Sequence, residues 1–114
     1  MHKSNFSKYA VLGSAEYTSG EIYLRTISLA DMEEIRIWRN SQIGILRQSN
    51  ILSADDQTSY FFNVISPDFS TTIPKQILFV IFLHEKRVGY GGLVHIDWDK
   101  QIAEVSFLLD PLLS

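Results

Sequence analysis

The chain has 114 residues, 46% hydrophobic and 20% charged, with a formal net charge of −3. That balance fits one folded domain and gives no bulk attraction to a polyanion; without a run of Lys or Arg, nucleic-acid binding is not expected. There are no cysteines, which excludes disulfides, thiolate chemistry and cysteine-ligated zinc.

Residues 1–20 are polar and mixed, without a sustained period, and read as a mobile lead-in, although Tyr9-Ala-Val-Leu12 has material for pairing. Residues 21–114 read as the domain proper. Glu21 to Ile27 alternates as a first strand, with Ile22, Leu24 and Thr26 opposite Tyr23, Arg25 and Ile27. Ser28 then offers a helix-capping oxygen, and Asp31 three residues on makes a capping-box variant. The helix that follows sets Leu29, Met32, Ile35 and Trp38 on one side and ends at Asn40-Ser41. Gln42 to Leu52 is ambiguous, with Ile43, Ile45 and Leu46 able to form a short helical turn.

Ser53-Ala-Asp-Asp56 repeats the capping logic, and Tyr60, Phe61, Val64 and Ile65 supply the buried face of a second helix. Ser66-Pro67 stops it, and two prolines make 66–74 a loop. Gln76 to His84 is β-branched and aromatic on both sides, which predicts a central strand. Glu85-Lys86 turns the chain into a strand over Arg87–Ile96, and Asp97-Trp-Asp-Lys100 turns it again into Gln101–Leu109. The result is an α+β chain in the order β-α-α-β-β-β, its last three strands an antiparallel meander. The longest apolar run, Ile77 to Leu83, falls far short of the ~20 residues of a membrane span, and no secretory apolar stretch opens the chain. A cytoplasmic protein without membrane attachment is expected.

Two short motifs carry chemistry. Ile35-Arg-Ile-Trp-Arg-Asn40 places an indole, a guanidinium and an amide together, with Arg47 downstream. Such a set can stack on a ring and grip hydroxyls or phosphate. Trp38 equally continues the apolar stripe, and Arg39 equally suits the C-terminal end of a helix. The second motif is Ala103-Glu-Val-Ser-Phe107, on the strand that ends in Asp110-Pro111. Period-two alternation sets Glu104 beside Ile102 and Ser106 on one face, opposite Ala103, Val105 and Phe107. Glu104 there is either a base or a solvated surface residue, and Asp110 is a turn residue. Gly89 and Gly91-Gly92 flank Tyr90 inside a strand, where glycine marks a bulge or a close backbone approach rather than a phosphate cradle. His2, His84 and His95 have no partners at ligand spacing, so no metal is expected.

With the element order, these motifs resemble the first half of a GNAT-family N-acetyltransferase, over Ile22 to Pro111. The look is that of enzymes that acetylate amino-sugar nucleotides, and of ribosomal-protein N-terminal acetyltransferases. The resemblance implies acetyl-coenzyme A as co-substrate and a small-molecule primary amine as acceptor, favouring a 4-amino sugar nucleotide. It implies main-chain contact with the coenzyme by Ser106, Phe107, Leu108 and Leu109, where the alternative is a plain core strand. It gives Glu104 the role of base, and Trp38, Arg39, Asn40 and Arg47 contact with the acceptor. In the family a glycine-rich pyrophosphate loop follows this strand, whereas here only Leu112, Leu113 and Ser114 follow Pro111. These 114 residues alone are therefore expected to be an inactive N-terminal portion that self-associates through its last strand. Acetylation of protein N-termini, or a non-catalytic binding module, are the competing expectations.

Overall fold

The computed structural model describes residues 7–42 and 50–113. Among the described residues, five strands form one antiparallel sheet in chain order: β1 (Glu16–Ser19), β2 (Ile22–Thr26), β3 (Ile77–Leu83), β4 (Lys86–Asp97) and β5 (Ile102–Leu109). Helices α1 (Met32–Ser41) and α2 (Ala54–Tyr60) fill the connection between β2 and β3. The expected α+β order is thus present, with one strand added in front. No helix among the described residues is long and apolar enough to cross a membrane.

The added strand lies within the stretch read from sequence as a lead-in. Gly20, at φ +59°, turns β1 back on β2, so that Ser19 pairs with Ile22 and Glu16 with Arg25. Tyr9 is fully buried, and its hydroxyl accepts the Leu78 N–H at 2.9 Å. Tyr9 and β1 are thereby tied to the sheet. The strand is short and polar, so no apolar alternation announces it; the Tyr17-Thr18 pair before Ser19-Gly20 was the available signal.

Both helices lie on one face of the sheet, where Met32, Ile35 and Trp38 of α1 meet Leu78 and Val80 of β3. Leu29, expected on that stripe, is exposed, because residues 29–31 form a 3-10 turn before the α-helix begins. A second correction concerns the helix after Ser53. Phe61 and Ile65 are buried, but Tyr60 and Val64 are exposed. A π turn over Phe61–Ile65 shifts the phase, and the buried positions become Gln57, Phe61 and Ile65. The chain then continues into a 3-10 turn over Ser66–Phe69 rather than stopping at Pro67.

The capping box at Ser28 forms, with the Ser28 N–H donating to Asp31 Oδ2 at 2.8 Å. The same carboxylate does more than cap. Asp31 is fully buried and takes paired bonds from Arg25 at 2.7 Å each, and one from Arg87 at 2.9 Å. It thereby ties the start of the helical layer to β2 and β4. Burial by itself would raise the Asp31 carboxyl, but the Arg25 and Ser28 donors outweigh it and hold the group below its ordinary value.

The β3–β4 hairpin turns on His84 and Glu85, both at positive φ (51° and 65°), so the turn sits one residue earlier than Glu85-Lys86. Its register slips opposite Val88, and the β4–β5 register slips between Val94 and Asp97. Gly91 and Gly92 mark close approach. A Cβ on Gly91 would lie 2.1 Å from Ser106 O, and one on Gly92 would lie 2.0 Å from Ile77 O.

Candidate functional site

Between the helices and the sheet opens a cavity of about 360 Å³. Its floor is Leu78 of β3, Tyr90 and Val94 of β4, and Ser106 to Leu108 of β5. Its other wall comes from Arg39 of α1, Leu52, and Asp56, Gln57 and Tyr60 of α2. The end of α1, the start of α2 and the last two strands thus converge on one space.

Arg39 is half-buried on the last turn of α1, and its guanidinium donates to the Tyr90 hydroxyl at 3.1 Å. The pair is 51 positions apart in sequence and bridges the two walls. Asp56, at the start of α2, accepts the Ser53 N–H at 3.0 Å, and that bond holds its carboxyl below the usual range. Arg39 and Asp56 are the charged residues of the wall among the described residues. The rest of its polar lining is neutral: Gln57, Tyr60, Gln76, Tyr90 and Ser106.

The other residues singled out by sequence take separate places. Trp38 is 2% exposed within the hydrophobic core and is not part of the cavity wall. Asn40 clamps the backbone of Leu52, donating to its carbonyl at 2.9 Å and accepting its N–H at 2.8 Å, which fixes a wall residue. Arg47 lies outside the described residues. Ser106, Phe107 and Leu108 line the cavity, while Leu109 pairs with Gly89 beyond it. The outer edge of β5 has no strand partner among the described residues. On that strand the Leu109 carbonyl accepts a bond from Gln42 Nε2 at 3.3 Å.

Glu104 pairs across the sheet with Val94, on the same face as Ser106. It is exposed, and its Oε2 lies 2.9 Å from His95 Nδ1. His95 sits at the β4–β5 register slip with φ +50°, an uncommon conformation outside glycine. No local pattern joins the two residues, since only the bulge brings His95 against Glu104.

Gln57 and Tyr90 also line the cavity without a motif that marks them in sequence. A polar residue recurring with an apolar stripe, as Gln57 does with Phe61 and Ile65, was the available signal for the first. Tyr90, set between glycines, carried none that distinguished it from a packed aromatic.

A model of the acetyltransferase (GNAT) domain matches residues 24–112. Among solved structures, spermidine N-acetyltransferase from Vibrio cholerae in complex with CoA and spermine has a TM-score of 0.67 at 17% identity, over 81% of this chain and 53% of that one. A dodecameric structure of the Vibrio cholerae enzyme gives 0.63 at 18%, over 81% and 52%. RimL, a ribosomal-protein alpha-N-acetyltransferase in complex with coenzyme A, gives 0.65 at 15%, over 84% and 55%. At these identities the likeness is one of fold, and the chain spans about half the length of the structures it matches. No curated protein sequence matches it.

Proposed function

The chain belongs to the GNAT acetyltransferase family, and from that premise we propose that the protein carrying it transfers acetyl from acetyl-coenzyme A to a primary amine, favouring a 4-amino sugar nucleotide. The observation that carries this reading is the cavity itself: Arg39, Tyr90 and the edge strand β5 meet in one space open to ligand. Bound acetyl-coenzyme A would supply the thioester that a free amine attacks.

The chain's own residues do the rest. Main chain along Ser106–Leu109 offers fixed hydrogen-bonding groups to the pantetheine arm and the thioester carbonyl, and fixed donors stabilise a developing oxyanion better than mobile water. Glu104 accepts the ammonium proton, directly or through one water, because only the neutral amine is nucleophilic. Arg39, held by Tyr90, faces the anionic part of the acceptor. Asn40 keeps the wall in place through Leu52, and Trp38 anchors α1 in the core.

The test is acetyl transfer by the encoded protein, with product mass as the readout. A 4-amino sugar nucleotide, a peptide with a free N-terminus and spermidine are the competing acceptors. The amino sugar is expected to be acetylated most efficiently. Preference for the peptide or the polyamine would overturn the acceptor, and no acetylated amine at all would overturn the activity.

A further inference from the structure

Helix α2 turns one amide into the space it shares with the sheet. Gln57 is only 5% exposed. Its backbone N–H bonds Ser53 O at 3.2 Å, yet among the described residues nothing bonds its carboxamide. The amide is not sealed in either, since the enclosed orphan side-chain atoms are Asp68 Oδ2 and Arg87 Nε. It lines the cavity of about 360 Å³. Burying an amide without a partner is unfavourable, and an apolar residue would suit the stripe shared with Phe61 and Ile65 better. No group among the described residues partners the amide, so it is left to water or to a ligand in the cavity.

We propose that Gln57 reads the acceptor: its carboxamide hydrogen-bonds a hydroxyl on the body of a hydroxylated primary amine, of the amino-sugar type. The assignment rests on the acceptor cavity described above. A carboxamide both donates and accepts, and so does a hydroxyl, so the two match in either orientation. The wall around Gln57 has the same character. Gln76 Nε2 donates to Tyr60 Oη at 3.5 Å, which leaves the Gln76 oxygen and the Tyr60 hydroxyl proton for a second hydroxyl. Among the described residues, five neutral polar side chains, one guanidinium and one carboxylate line the cavity. A polyamine brings several ammonium charges, and a single carboxylate leaves most of them without a counter-charge. A ring bearing hydroxyls meets its complement at several points. A site built to hydrogen-bond a hydroxyl also discriminates strongly against the analogue that lacks it.

The test is calorimetric binding to the wild-type chain and to Gln57→Met, which keeps the length of the side chain and removes the amide. A 4-amino-4-deoxyhexose is the probe, with cyclohexylamine as the same-sized ring without hydroxyls, and glycinamide as the peptide-like control. Gln57→Met is expected to weaken the amino sugar about tenfold, leave cyclohexylamine unchanged, and keep or raise the melting temperature. Equal weakening of both rings, no weakening, a dependence seen with glycinamide alone, or a lowered melting temperature would each overturn the proposal. Binding is read without any transfer step. A protein that binds the amino sugar through Gln57 but acetylates no amine would refute the proposed activity and leave this assignment standing.

Discussion

At the scale of single residues, position in the fold separates groups that look alike in sequence. Glu104 and Asp31 are both carboxylates, but one stands exposed beside the cavity and the other is sealed under two guanidinium groups. For Glu104 the expectation is kinetic. Glu104→Gln should lower turnover by roughly 10²–10⁴-fold with little change in folding, and near-wild-type rates across the pH range would retire its role as base. For Asp31 the expectation is structural. Asp31→Ala removes the carboxylate that takes two bonds from the buried Arg25 guanidinium and should cost roughly 3–5 kcal/mol in denaturant unfolding. The Asp31 carboxyl is held below its ordinary value in the folded state. Its contribution is therefore fully present above the unfolded value, near 3.8, and is lost as pH falls through the lower folded value. Acid unfolding curves of wild type should steepen in that window, and those of Asp31→Asn should be flatter there.

At the scale of elements, the sheet is held together where side chains are absent. Gly91 abuts β5 and Gly92 abuts β3, each too closely for a methyl group. Gly92→Ala must push β3 away from β4 and is expected to destabilise by about 1–3 kcal/mol or more. Gly13→Ala meets nothing within 4 Å and should stay within about 0.5 kcal/mol of wild type. Thermal melts of the two variants check this directly, and equal melting temperatures would deny the close approach. On the helical side, the Ser53 hydroxyl accepts the Asp56 N–H at 3.0 Å. The same turn presents Asp56 and Gln57 to the cavity, so the cap that stabilises α2 also aims its site residues.

At the scale of the whole molecule, the sheet has two unlike faces. One is covered by the helices; the other exposes apolar side chains, among them Val105 at 68% and Phe107 at 57%, beside a hollow of about 420 Å³. β5 adds an edge without a strand partner among the described residues. An apolar edge of this kind templates pairing with a second copy. The 114-residue chain by itself is therefore expected to associate with concentration in sedimentation velocity. The double substitution of Val105→Lys and Phe107→Lys should return it to monomer. A wild-type chain that stays monomeric at every accessible concentration would refute this.

Period and capping chemistry were enough to locate most of the fold from sequence. The α1 stripe of Met32, Ile35 and Trp38, the capping boxes at Ser28 and Ser53, the central strand Ile77–Leu83 and the last strand Ile102–Leu109 are local signals, set by neighbours a few residues apart. Together with two motifs they pointed to the family. What lay beyond sequence depends on partners far along the chain. The polar strand Glu16–Ser19 exists because β2 lies beside it, and the phase of Gln57, Phe61 and Ile65 depends on a π turn that no propensity announces. Arg39 meets Tyr90, and His95 meets Glu104, only once the helices dock and the sheet bulges. Local chemistry chose the elements, whereas long-range packing decided which side chains share the cavity, because a cavity is a property of surfaces brought together and not of any one segment.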